Sequence, residues 1–150
     1  MVPLATRHRS LRVLCIEEDD VQRKLLQACL DVIGAETVFA LHAADALFLF
    51  RRHPMDMVFM DIDLHSAEEL AAFERMRTTP RREHVPILAV TDNECDWPQS
   101  AYREAGFAGV FLKPIEPMRL FRTMDEMLRE SEQQPLLDDQ CDLFNNARFA

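Results

Sequence analysis

Apolar residues follow two rhythms along this chain of 150 residues. Short, nearly unbroken runs alternate with longer stretches in which apolar positions recur every three or four residues. The first rhythm marks strands buried on both faces, and the second marks amphipathic helices. Strands are predicted at Leu11–Ile16, Glu36–Leu41, Met57–Met60, Val85–Val90 and Gly109–Leu112. The first helix starts near Val21, carries Leu25, Leu26, Cys29, Leu30 and Ile33 inward, and stops at Gly34. Asp19 or Asp20 can cap it, and acids suit its positive end. A second helix runs from about Ala43 to Arg52, with Ala46, Leu47 and Phe50 facing in, and Pro54 ends it. A third, marked by Leu70, Phe73 and Met76, breaks at Thr78-Thr79-Pro80. A short fourth helix spans Pro98 to Ala105 and closes at Gly106. The last begins at Glu116-Pro117, with proline in the first turn, and its stripe is Leu120, Phe121, Met124, Met127 and Leu128.

Strands that alternate with helices pair in parallel, because each helix is the crossover that a parallel pair needs. The fold class is therefore α/β: a doubly wound, five-stranded parallel sheet flanked by helices. The expected organisation is a loose lead-in over residues 1–10, one domain over 11–130 and a tail over 131–150. In the tail, Leu137, Cys141 and Phe144 share a helical face within a polar, acidic segment.

Composition narrows the function more than the fold. The net charge is −9, from 26 acids against 17 bases. That argues against nucleic acid and against anionic membranes as partners. No apolar run approaches the ~20 residues that span a bilayer, and no apolar signal core follows Arg7, His8 and Arg9. Cys15, Cys29, Cys95 and Cys141 are too widely spaced for a zinc site or a redox pair. The expected setting is reduced and cytoplasmic.

In an all-parallel sheet every strand's carboxyl end lies at one edge, where such folds bind ligands. The first strand delivers Glu17 and Glu18 there. The third delivers Asp61, with the carbonyl of Asp63 close behind. The fourth delivers Thr91 and the fifth Lys113. Clustered carboxylates repel, and a hard cation such as Mg²⁺ relieves that repulsion with oxygen ligands. A metal, an ammonium and a hydroxyl aimed at one carboxylate make a site for a transferred phosphoryl group. Each residue also has a bland reading: helix start, cap or surface lysine. Such residues at four strand ends, in this order, outweigh it.

These residues resemble the receiver domain of two-component response regulators. The resemblance covers about Arg12 to Arg129 and is carried by Val13-Leu14-Cys15-Ile16-Glu17-Glu18-Asp19, Phe59-Met60-Asp61-Ile62, Val90-Thr91, Glu104-Ala105-Gly106 and Leu112-Lys113-Pro114. It implies the flavodoxin-like, receiver-type version of the fold. By that resemblance Asp61 is the phosphoacceptor, taking its group from a histidine kinase or a histidine phosphotransfer protein. Glu18 binds Mg²⁺ directly, Glu17 holds it through water, and the Asp63 carbonyl is a further ligand, with Asp61 completing the metal set. Thr91 bonds the phosphoryl oxygen, Lys113 pairs with it, and the peptide before Pro114 is cis. The chain departs from the pattern at Glu18, usually Asp, and at His65, usually Pro. It departs again at Glu69, usually Gly, and at Val110, usually aromatic.

No DNA-binding segment follows in the sequence, so a stand-alone receiver is expected. It is not an enzyme beyond catalysing its own phosphorylation and dephosphorylation. It signals through protein contacts, to a downstream partner or a homodimer, at the face of strand five and the last helix. Tyr102, Phe107, Phe111, Met118 or Arg122 are expected to be exposed there in some combination. One alternative is a degenerate receiver that binds proteins without phosphorylation. Another is a haloacid-dehalogenase-like phosphatase, because Asp61-Ile62-Asp63 resembles the paired aspartates of that family. There, however, the pair sits on the first strand, and His65 stands where threonine or valine belongs.

Overall fold

The computed structural model describes residues 10–92 and 97–133. Cys95, Cys141, most of the lead-in and the apolar positions of the tail lie outside these residues. Among the described residues ten elements alternate strictly: β1 Arg12–Ile16, α1 Asp20–Val32, β2 Glu36–Ala40, α2 Ala43–Arg52, β3 Met57–Asp61, α3 Ala67–Arg77, β4 Ile87–Thr91, α4 Gln99–Ala105, β5 Gly109–Leu112 and α5 Pro117–Gln133. The five strands form one sheet in the order β2-β1-β3-β4-β5, and every pair is parallel. The parallel sheet follows from the alternation, and its strand order is the flavodoxin-like one that the resemblance implies.

The pleat sorts side chains between two cores. Leu14, Ile16, Val58, Met60, Ile87, Ala89 and Val110 face α2, α3 and α4. Their neighbours Val13, Cys15, Met57, Phe59, Leu88, Val90 and Phe111 face α1 and α5. A strand with helices on both sides must be apolar at every position, which is why the strands read as runs and not as alternations.

The boundaries follow local chemistry. Asp19 caps α1, accepting from the Gln22 N–H at 2.9 Å. Gly34 adopts φ 73° just past the helix end, a conformation that glycine takes without steric cost. Gly106 does the same at φ 116° to close α4. β4 starts at Ile87, later than the predicted Val85, because Pro86 has no N–H for the ladder; its carbonyl still accepts from the Val58 N–H at 3.0 Å.

The expected exposed group on the β5 side narrows to two of its five residues. Tyr102, Phe107 and Phe111 are all buried, at 2–3% exposure. Phe107 stacks on Phe73 with ring centroids 3.7 Å apart, and Tyr102 meets Phe107 edge-on at 6.2 Å. Phe111 packs on the opposite side against Phe59 at 6.1 Å, under the Arg119 guanidinium. Only Met118 and Arg122 of that group are exposed. No helix among the described residues is long and apolar enough to cross a membrane.

Candidate functional site

The parallel register brings the predicted strand ends together. Asp61 is the last residue of β3 and lies opposite Val90 of β4. The next N–H, from Ile62, donates to the Val90 carbonyl at 3.1 Å. Thr91 ends β4 and is buried. The Lys113 N–H, just past β5, donates to the Thr91 carbonyl at 2.9 Å. Glu17 follows β1, and its N–H donates to the Ala40 carbonyl of β2 at 3.1 Å. The backbone thus fixes the start of each candidate side chain before any of them interacts.

Three of the predicted residues meet directly. The Lys113 ammonium lies 2.8 Å from Glu17 Oε1 and 3.2 Å from Asp61 Oδ2. Glu17 is only 4% exposed, and its other oxygen accepts from the Asp19 N–H at 3.1 Å. Lys113 therefore bridges a buried carboxylate and a half-exposed one. The peptide between Lys113 and Pro114 is cis. Glu17, Glu18, Asp61 and Lys113, with Asp19, Gln22, Asp92 and Pro114, line an open cavity of about 540 Å³.

Electrostatics separate the roles. Burial, then the Glu17 charge, push the Asp61 carboxyl up to about 6, and Lys113 only partly offsets them. Burial alone would lower the Lys113 ammonium, but the Glu17 and Asp61 carboxylates outweigh it and hold Lys113 above its ordinary range. Asp61 is thus the uncomfortable anion of the group, and extra positive charge would stabilise it.

That surplus of anion bears on Mg²⁺. The cavity offers oxygen donors only, the ligand type a hard cation takes. Among the described residues no three acidic, histidine or cysteine side chains are gathered as a ready cage. Mg²⁺ does not need one, since it keeps several waters and takes one or two carboxylates. The donor set fits it. Glu18 is exposed and lines the cavity, whereas Glu17 pairs with Lys113.

The loop after Asp61 holds contacts that sequence reasoning missed. The Asp63 N–H donates to Glu69 Oε2 at 2.9 Å, and the His65 N–H donates to Asp63 Oδ1 at 2.8 Å. The Asp63 carbonyl accepts from the Ser66 N–H at 2.9 Å, and Ser66 Oγ accepts from the Glu69 N–H at 3.2 Å. The spacing Ser66-x-x-Glu69 is a capping-box signature and was available in the sequence. The His65 ring also meets the Trp97 ring, with centroids 5.4 Å apart; no local pattern announces that contact. Gln22 and Asp92 were likewise not singled out as site residues.

The perturbed Asp61 has a measurable cost. Its folded pKa lies above the unfolded value of about 3.9, so its contribution is fully present below pH 4 and is lost as pH rises through about 6. Asp61→Asn removes that loss. The Asp61 side chain is 36% exposed, and solvent screening cuts the benefit to about 1 kcal/mol. Urea unfolding in Mg²⁺-free buffer should show the variant gaining that much on wild type between pH 4 and pH 8. Parallel pH profiles would show that the carboxyl is not perturbed.

Comparison with known proteins agrees with the fold. Residues 13–125 match the family model described as the response regulator receiver domain. The polar-differentiation response regulator DivK of Brucella anthropi is 26% identical over 119 residues, covering 79% of this chain and 97% of that protein. A putative response regulator from Chloroflexus aurantiacus superposes with a TM-score of 0.73 at 25% identity, over 81% of this chain and 99% of that one. The receiver domain of sensor histidine kinase PA1611 from Pseudomonas aeruginosa, with a magnesium ion in its active-site cleft, gives 0.70 at 22% identity, over 79% and 98%. The match spans well over half of the sequence and includes β1 to α5, so the chain belongs to the response regulator receiver family of two-component signalling.

Proposed function

We propose that this receiver accepts a phosphoryl group on Asp61 from the phosphohistidine of a histidine kinase or phosphotransfer protein, and passes the signal on by protein contacts. The observation that carries this reading is the Glu17–Lys113–Asp61 bridge at the mouth of the 540 Å³ cavity. Asp61 presents a carboxylate oxygen to phosphorus. The oxygen–phosphorus bond forms as the nitrogen–phosphorus bond breaks, and the imidazole leaves with the electron pair. Glu17 keeps Lys113 charged and aimed, so that the ammonium meets the negative charge spread over the transferred oxygens. Thr91, one strand over, supplies a hydroxyl from a buried position. Glu18, Asp61 and the Asp63 carbonyl, with Glu17 beside them, are the residues that would hold Mg²⁺, which would supply further charge neutralisation there.

Output runs through the β5–α5 side. Met118 is exposed, at 58%, and so is Arg122. These two residues replace the wider aromatic face as the contact candidates, toward a downstream protein or a second copy. One observation favours the phosphorylation-independent alternative. Val110 is buried in the core under α2–α4, and Phe111 faces the opposite core. An aromatic side chain that could follow a movement of Thr91 is therefore missing from its side of β5.

Incubation with acetyl phosphate and Mg²⁺, followed by trapping and mapping of the acyl phosphate, separates the readings. The expected adduct is on Asp61 in wild type and absent in Asp61→Asn. An unlabelled wild type, or a label elsewhere, would favour the binding module. Turnover of a small phosphomonoester would instead favour the phosphatase.

A further inference from the structure

Glu69 is the third residue of α3, and it reaches backwards past its own cap. Its carboxylate accepts the N–H of Asp63 at 2.9 Å, two residues beyond Asp61. Glu69 and Asp61 also line one small cavity of about 190 Å³, with Glu18, His42, Ser66 and Glu68 on its walls. Two facts follow from that placement. A backbone N–H beside the phosphoacceptor already holds a carboxylate oxygen at full hydrogen-bond length, and such a donor holds other oxyanions by the same chemistry. A formal negative charge on Glu69 also lines the same small cavity as the Asp61 carboxylate.

We propose that Glu69 acts as an internal anion: it occupies the Asp63 N–H and must give it up before a phosphoryl group on Asp61 can use that donor. Glu69 thereby restrains how tightly and how fast the site takes an anion. The proposal rests on Asp61 being the phosphoacceptor. Asp63 and Ser66 keep the loop tied when Glu69 lets go. The Asp63 carboxylate still holds the His65 N–H, and the Asp63 carbonyl still holds the Ser66 N–H. Release of Glu69 therefore frees one donor without unravelling the turn.

The two effects of Glu69, donor occupancy and repulsion, have the same sign for anion binding. A role limited to ordering the loop has the opposite sign, so the direction of the change decides. The probe is beryllofluoride with Mg²⁺, titrated into wild type, Glu69→Ala and Glu69→Gln and read by fluorine NMR. Glu69→Ala removes both acceptor and charge and should bind about three- to tenfold more tightly than wild type. Glu69→Gln keeps a neutral acceptor, which holds an N–H less strongly than a carboxylate does, and should fall between the two. In the absence of the probe, the Asp63 amide proton should move upfield in Glu69→Ala, reporting the lost contact. If both variants bind no better than wild type, or the Asp63 amide does not move, the internal-anion proposal is wrong while the phosphoacceptor reading stands. If no protein binds beryllofluoride, the phosphoacceptor reading fails and takes this proposal with it.

Discussion

Lys113→Met should cost about 3 kcal/mol of folding stability at pH 8 and much less at pH 5. Lys113 neutralises two carboxylates at once, Glu17 at 2.8 Å and Asp61 at 3.2 Å, and its own side chain is only 11% exposed. Methionine fills similar space but leaves Glu17, 4% exposed, as a buried anion facing a second one. Removing one partner of a buried pair is expensive because the remaining charge cannot recover its hydration. Protonation is the relief available. Asp61 already titrates near 6 with the ammonium present, and Lys113 is what lowers it. Without Lys113 the Asp61 carboxyl rises further, so the variant should take up a proton near neutrality and recover stability on acidification. Mg²⁺ should also stabilise Lys113→Met more than wild type, since a cation in the cavity replaces the missing charge. Urea denaturation at pH 5 and pH 8, with chelator and with excess Mg²⁺, tests both statements. Equal stability of the two proteins at pH 8 would mean that Glu17 is solvated and that the bridge contributes nothing.

The gathering of the strand ends was legible in the sequence because it depends on topology alone; the contact of Lys113 with Glu17 was not. Once five apolar runs alternate with helical stripes, the carboxyl ends of the strands share an edge. Glu17, Asp61, Thr91 and Lys113 are then neighbours whatever their side chains do. β3 and β5 lie where their apolar runs place them. What could not be read depends on contacts between elements. Tyr102, Phe107 and Phe111 look like surface aromatics when α4 and β5 are considered alone, since both elements are too short for a clear inward stripe. Burial came from α3, through Phe73, and from β3, through Phe59. The Glu69 contact was half legible. The Ser66-x-x-Glu69 spacing announces a capping box, but the carboxylate passes over the cap and reaches Asp63. The His65–Trp97 contact joins two loops on different crossovers, and local periodicity carries no information about such a pair.

The ring stack that replaced the expected exposed face should be the costliest side chain to remove. Phe73→Ala is expected to lose about 3–5 kcal/mol. Phe73 is 1% exposed and lies nearly parallel to Phe107, at an interplanar angle of 7°. Phe107 in turn touches Tyr102, so one ring on α3 supports α4 and the entry into β5. Truncation deletes the apolar contact and leaves a cavity that three separate elements would have to collapse around together. Phe73→Leu retains most of the volume and should lose about 1–2 kcal/mol, so the two variants grade the effect by size. Stability of a folded domain is commonly about 5–15 kcal/mol, so Phe73→Ala should still fold at low temperature with a clearly lowered urea midpoint. The chemistry should be spared. Phe107 precedes β5, whereas Lys113 follows it, so the stack lies toward the amino ends of the strands and the site at their carboxyl ends. Acyl phosphate formation on Asp61, counted per folded molecule, should match wild type. A loss below about 1 kcal/mol in Phe73→Ala would mean that the aromatic cluster does not bear on the fold as its burial implies. A normal stability loss with abolished labelling would mean that packing at the far end of the sheet is transmitted to Asp61.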